Sequence, residues 1–254
     1  MLELTVESRL ATIVLSRPPA NAVHGEWLDA FDRIIATMEQ RPDVSVIHLR
    51  SAQKVFCAGA DLRLMSESLQ SPAGVDEMMG VVERMQRSFD ALSKLPQVTL
   101  AEIGGAALGG GFELALACDL RIASDGAVMG LPEARLGLLP GAGGTQRLTQ
   151  LVGPGLAARL ILGAETLSGA QAVDLGLVQW ACASTALQAK ALEIAQRIAS
   201  MPALSLAACK RCIAAALTDR SAGLDLERSG TRALYESTPT QALVRQFIES
   251  RNPR

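Results

Sequence analysis

The chain predicts an α/β fold closed by a helical C-terminal element, and three observations lead there. Short apolar runs alternate with amphipathic helical stretches as far as Trp180. A glycine-rich turn joins a strand to an apolar helix near the middle of the chain, over Ile103–Cys118. Everything from Ala183 onward has helical periodicity.

Each element has its own signal. Leu2–Val6 and Ala11–Leu15 are short β-rich runs split by a turn, which predicts a hairpin. Ser16–Asn21 carries two prolines and reads as a loop. Gly25–Glu39 predicts a helix with Leu28, Phe31, Ile35 and Met38 on one face. Val44–Leu49 reads as a buried strand, and Cys57–Asp61 as a tight turn. Leu62–Gly80 is polar and rich in Met and Ser, which suggests a mobile lid or loop. A helix over Val81–Leu95 ends at Pro96, and Val98–Ile103 and Leu120–Ala123 read as strands flanking a Phe112–Cys118 helix. Leu138–Gly144 is a loop before a short helix at Thr145–Leu151. Ser168-Gly-Ala-Gln171 is a capping box opening a helix that stops at Gly176, and Leu177–Trp180 is a strand. The tail is expected to break at Met201-Pro202 and near Gly223.

At 254 residues the chain holds one large domain, or one domain with a small appendage, and buries enough surface to need no staples. Its 24 basic residues against 26 acidic ones leave no basic excess for nucleic acid, and 3% aromatics leave little to stack bases on. No apolar run reaches the length of a membrane span, and the first residues lack the pattern of a signal or transit peptide. Five scattered cysteines fit reduced thiols, so a cytoplasmic location is expected. Cys209-Lys-Arg-Cys212 has no second ligand pair for zinc, and neither His24 nor His48 has metal spacing, so no metal site is expected.

The chemistry concentrates between Ile103 and Glu133. Gly109, Gly110 and Gly111 lead into an apolar helix that carries one carboxylate, Glu113, between Phe112 and Leu114. Left unpaired there, an ionised carboxylate costs several kcal/mol. It therefore has a partner, a displaced pKa or a ligand cavity to face. Glu133 follows Pro132 at a second helix start. Two carboxylates beside glycine-rich backbone at a helix N-terminus suggest acid–base chemistry next to an anion-stabilising hole. Structural readings stand beside these. Glu113 could serve the helix dipole, and Glu133 could be an ordinary first-turn residue. Gly141–Gly144 could be a flexible connector, Asp61 a helix cap, and His48 a hydrogen-bonded core histidine. Met65, Met78 and Met79 could line an apolar ligand pocket or merely fill the core.

Four motifs occur in order: C-A-G-A-D-L at Cys57–Leu62, A-L-G-G-G-F-E-L at Ala107–Leu114, G-L-P-E at Gly130–Glu133 and L-P-G-A-G-G-T-Q-R-L at Leu139–Leu148. Together they resemble the crotonase superfamily, specifically its enoyl-CoA hydratase branch, over nearly the whole chain. The resemblance implies a crotonase-like spiral of ββα repeats with a C-terminal helical trimerisation region. It implies a catalytic core over 1–196 and a helical oligomerisation region over 197–254, in a homotrimer or a hexamer made of two trimers. The substrate would be an acyl-CoA thioester, with coenzyme A carried as part of the substrate and no separate cofactor. The oxyanion hole maps to the backbone N–H groups of Ala60 and Gly110, and the catalytic pair to Glu113 and Glu133, with Glu133 the proton donor by family analogy. Ala20, Ala58, Gly59, Ala60, Asp61, Leu62, Arg63 and Gly110 map to substrate and coenzyme A contacts, with Lys54 a weaker candidate. The tail near Phe247 is less basic than in many relatives, which puts its part in binding coenzyme A in doubt.

The activity implied is hydration of a trans-2-enoyl-CoA to a 3-hydroxyacyl-CoA. Enoyl-CoA isomerisation and acyl-CoA hydrolysis would use the same thioester site. A dinucleotide-binding protein is a more distant alternative. Gly104 and Gly109 after a strand loosely mimic a Rossmann turn, with Asp125 following, but Ala106 replaces the middle glycine.

Overall fold

The computed structural model describes residues 1–251, and it divides the strands between two sheets. The larger contains β1 (Leu2–Glu7), β2 (Leu10–Leu15), β3 (Val46–Ser51), β4 (Val98–Ile103), β6 (Leu120–Ser124) and β9 (Trp180–Cys182) in the order β1-β2-β3-β4-β6-β9. β1 and β2 form the expected antiparallel hairpin, with Leu2 opposite Leu15, and every later neighbour is parallel. The smaller sheet joins β5 (Ala107–Leu108), β7 (Val128–Gly130) and β8 (Thr166–Ser168).

Alternation along the parallel strands sorts the large sheet's residues onto two faces. Ile47, Leu49, Ala101, Ile103 and Ala123 join the main core with α1 (Gly25–Glu39) and α3 (Pro72–Lys94). There Trp27 stacks on Phe31 at 4.9 Å between ring centroids, and Phe31 meets Phe89 edge-on at 6.3 Å. Val46, Leu100 and Ile122 point the other way, onto Leu187, Ala191, Ile194 and Ile198 of α7 (Leu187–Ala199). His48 and Glu102 share that second face and hydrogen-bond to each other at 2.8 Å, so His48 is a paired core histidine.

Two isolated bridges, Val23 with Ala60 and Cys57 with Ala107, extend the small sheet's layer backward to the Cys57–Asp61 turn. This layer carries the site. Leu108 pairs with Gly130 in β5–β7, and the next amide, Gly109 N–H, donates to Gly130 O at 3.0 Å. The two chains leave the sheet side by side. One enters α4 (Gly110–Leu116), and the other enters the single 3-10 turn Glu133–Leu136.

Several elements differ from the sequence expectation. The segment 62–80 is not a loop: it forms α2 (Leu62–Ser68) and the first turns of α3. Asp61 caps α2, accepting from the Arg63 and Leu64 amides, and Ser71 caps α3 with Pro72 at its first position. α5 runs from Gly144 to Leu162, well past Leu151, with its non-helical joint at Gly153 (φ 78°) immediately before Pro154. α6 (Gly169–Asp174) carries the expected capping box. The fourth parallel pairing, through β9, falls two to three residues later than expected.

The tail is helical throughout its described part: α8 (Ala203–Ala216), α9 (Arg220–Glu236) and α10 (Thr238–Arg251). The 196/197 boundary falls in the last turns of α7. α8 is tied to the core by Lys210, whose ammonium pairs with Asp119 at 2.7 Å and donates to Gln97 O at 2.9 Å. Gly223 lies inside α9, buried near Ala215 and Ala216, and the break falls earlier, at Leu217–Asp219.

Candidate active site

Glu113 is 2% exposed, on the first turn of α4. Its Oε1 accepts two backbone N–H groups, from Ala142 at 2.8 Å and Gly144 at 2.7 Å. The Gly141–Gly144 stretch is therefore a carboxylate-binding loop and not a connector. Its glycines have a reason: Gly143 sits at φ 98°, and a Cβ at Gly144 would lie 2.8 Å from Glu113 Oε1.

Glu133 lies across from it, at the start of the 3-10 turn. Its Oε1 would be 3.0 Å from a Cβ on Gly109, and its buried Oε2 meets no hydrogen-bond partner among the described residues. Burial raises its pKa above the ordinary value. Burial also raises Glu113, which the negative charge of Glu133 pushes further up. The Gly144 and Ala142 amides and the Arg147 guanidinium pull it back, and the balance leaves Glu113 at about 7. Two carboxyls displaced in the same direction and repelling one another favour a state holding one proton between them.

The Cys57–Asp61 turn closes the third side. A Cβ at Gly59 would fall 2.9 Å from the Gly110 nitrogen, and one at Gly110 would fall 3.5 Å from the Ala60 nitrogen. The Ala60 and Gly110 amides are thus neighbours, and neither donates to any backbone or side-chain acceptor among the described residues. For Ala60 the cause is the bridge to Val23, which uses Gly59 O and Asp61 N and leaves the amide between them unused. For Gly110 it is the first position of α4, where no intrahelical acceptor exists. Two free N–H groups beside two carboxyls form a site that can stabilise a negative oxygen and move a proton next to it.

The remaining expected contacts divide. Ala58 donates to Ala20 O at 3.0 Å, which fixes the Arg17–Asn21 loop along the turn. The Asp61 carboxylate is fully engaged, capping α2 and pairing with Arg17 at 3.1 Å, and these contacts hold its pKa below the ordinary value. Leu62, Arg63 and Lys54 are exposed near the turn. Of the methionines singled out, Met65 and Met78 are half-buried and Met79 is exposed. The methionine that reaches the site is Met85 of α3, whose Cε would lie 2.6 Å from a Cβ on Gly110. Met85, Gln86 and Arg147 were not picked out in the sequence. Arg147 stood in the L-P-G-A-G-G-T-Q-R-L motif, one turn beyond Gly143, which was the available signal.

A sequence model of the enoyl-CoA hydratase/isomerase family matches residues 5–254. The chain belongs to this family. Short-chain-enoyl-CoA hydratase of Clostridium acetobutylicum is 34% identical over 98% of this chain and 94% of its own length. Enoyl-CoA isomerase/hydratase fer4 of Mycosarcoma maydis is 36% identical, covering 95% and 90%. The crystal structure of an enoyl-CoA hydratase from Bacillus anthracis superposes with a TM-score of 0.92 at 32% identity, over all of this chain and 98% of that one. The crotonase fold is thereby established, and a Rossmann reading of the Gly104–Gly109 turn is set aside. That turn feeds β5 of the small sheet before α4 begins.

The carboxylate pair has a cost that can be read in stability. Glu113 moves from an ordinary 4.5 to about 7 on folding. The folded state therefore holds a proton that the unfolded chain has released, and stability falls as pH rises through that window. Glu113→Gln keeps the acceptor for both amides and removes the charge. It should be as stable as the parent at pH 4.5 and more stable at pH 8, measured by thermal melts at both values. An equal effect at the two pH values would show that Glu113 is not a raised carboxylate.

Proposed function

We propose that the chain is an enoyl-CoA hydratase acting on trans-2-enoyl-CoA thioesters. The observation that carries this reading is the juxtaposition of two raised carboxyls, Glu113 buried and Glu133 half-buried, with the unengaged Ala60 and Gly110 amides. Those amides would donate to the thioester oxygen and stabilise the charge that develops on it when water adds at C3. One such donor is worth roughly 3–4 kcal/mol in a transition state. Glu113, fixed by its two amides, would take the proton from water. Glu133, whose Oε2 has no internal partner, would deliver its proton to C2. Water's oxygen ends on C3, the donated proton on C2 and water's released proton on Glu113, so the pair still holds one proton and is reset when that proton passes from Glu113 to Glu133. The product is a 3-hydroxyacyl-CoA, and coenzyme A enters only as part of the substrate. Ala20, Ala58, Gly59, Leu62 and Arg63 would line the approach over which it lies.

Isomerisation of the double bond is the second reading, favoured by the fer4 name of one relative. It would need one carboxyl to shuttle a proton between C2 and C4, whereas hydration needs both. Glu113→Gln and Glu133→Gln should each lower kcat for crotonyl-CoA hydration by about 100-fold or more, in the range of general acid–base effects. The loss of enoyl-thioester absorbance reports this directly. Near-normal hydration by either variant would remove the two-glutamate reading.

The helical tail would complete an assembly. Leu204, Ile213, Leu217, Leu224, Tyr235, Phe247 and Ile248 are exposed along α8–α10, more apolar surface than a soluble monomer usually leaves open. In a homotrimer, or a hexamer of two trimers, it would be covered by closed symmetry. Light scattering should give three or six times the 26.7 kDa chain mass, and a fully active monomer at micromolar concentration would refute this.

A further inference from the structure

The loop that binds Glu113 is itself held from outside. Gln86 of α3 donates its amide to Gly141 O at 2.6 Å. The same peptide unit presents the Ala142 N–H to Glu113, so Gln86, peptide and carboxylate form one hydrogen-bonded chain. Arg147 of α5 donates through Nη1 to Ala142 O at 2.9 Å, and its own amide donates to Gly143 O at 2.9 Å. That second carbonyl belongs to the peptide unit whose Gly144 N–H reaches Glu113. The guanidinium lies close to Gly143, where a Cβ would come within 2.3 Å of Nη1. Every carbonyl of the loop from 141 to 143 is thus fixed, and both amides facing inward are committed to Glu113.

We propose that Arg147 and Gln86 are positioning residues for Glu113, locking the Gly141–Gly144 loop so that two of its N–H groups stay on the carboxylate. Neither side chain is hydrogen-bonded to Glu113 itself, and both act through the backbone between. For Gln86 the coupling is cooperative, because a peptide whose carbonyl is polarised by a donor offers a stronger N–H; the Arg147 guanidinium instead fixes the intervening Ala142–Gly143 peptide, between the two whose N–H groups reach Glu113. Arg147 adds its charge. The groups acting on Glu113 are Glu133 from the 3-10 turn, which repels it, and Arg147 from α5, which favours its ionised form. Burial works to discharge Arg147, while Asp90 of α3 and Cys118, just past the end of α4, favour its charged form. Arg147 therefore supplies positive charge that helps keep Glu113 able to ionise.

The inference deepens the hydratase reading and rests on it for its kinetic part, so the test has an arm that does not. Carboxyl 13C NMR of glutamate-labelled protein without substrate follows the Glu113 titration, assigned by its loss in Glu113→Gln. Arg147→Met should move the Glu113 midpoint to higher pH. Gln86→Leu, which leaves all charges in place, should move it in the same direction by less. Arg147→Lys should restore most of the wild-type midpoint. With crotonyl-CoA, Arg147→Met should lower kcat by about 10–100-fold with KM little changed, as expected when a reacting group is misplaced and not when binding is lost. The acid limb of its pH profile should move up with the NMR midpoint. A Glu113 midpoint unchanged in folded Arg147→Met and Gln86→Leu would overturn the proposal. So would losses of activity matching only the loss of folded protein, with no change in the pH profile. A wild-type protein that does not hydrate crotonyl-CoA would remove the hydratase reading, while the NMR result would still decide this one.

Discussion

The pair of hydrogen bonds from Ala142 and Gly144 to Glu113 is the constraint on which the site depends. A carboxylate 2% exposed among Phe112, Leu114 and Leu131 has no water to solvate it. Backbone amides are the substitute, and they must come from a segment with no side chain in the way. That requirement explains the glycine-rich loop, its left-handed Gly143 and the close approach at Gly144. It also explains why Glu113 can ionise at all beside a second carboxyl. The amides stop short of full compensation, so the group rests near neutrality, where proton exchange is cheap in both directions.

The small sheet supplies the other half. Its strands are two or three residues long, yet the chain of bridges from Val23 through Ala60, Cys57, Ala107 and Met129 to Leu167 fixes five segments in one layer. Three of them deliver functional groups at or just beyond their ends: the Ala60 amide, the Gly110 amide with Glu113 behind it, and Glu133. Catalytic groups held by backbone pairing gain a precision that loop side chains lack. The main core behind, with Trp27, Phe31 and Phe89, holds α3 against the layer, so that Met85 and Gln86 reach the site from a rigid helix.

Much of this was legible in the chain, and the misses have physical causes. α1 matched its expected span, Gly25–Glu39, because Leu28, Phe31, Ile35 and Met38 give an unbroken helical stripe. The Ser168–Gln171 box was visible because its two hydrogen bonds are local. β5, β7 and β8 were invisible, since two or three residues carry no period. The segment 62–80 read as a loop because its helices are solvated on most sides, although Asp61 and Ser71-Pro72 were valid start signals. The helix expected at Thr145–Leu151 in fact continues to Leu162, because the chain kinks at Gly153 and restarts with Pro154 at a first helical position. At the site, the motifs singled out Glu113, Glu133, Ala60 and Gly110, and the structure brings them together. Gln86 was not legible, because its role depends on a contact 55 positions away in sequence.

The central claim is that one carboxyl of the pair is ionised while the other holds a proton. The pH profile of kcat/KM for crotonyl-CoA hydration by the wild-type protein tests it most directly. A bell is expected, with both limbs belonging to the Glu113–Glu133 pair and both above the ordinary carboxylate value of 4.5. A rate that stays flat from about pH 5 to pH 9 would contradict the account, because acid and base could not then be these two groups.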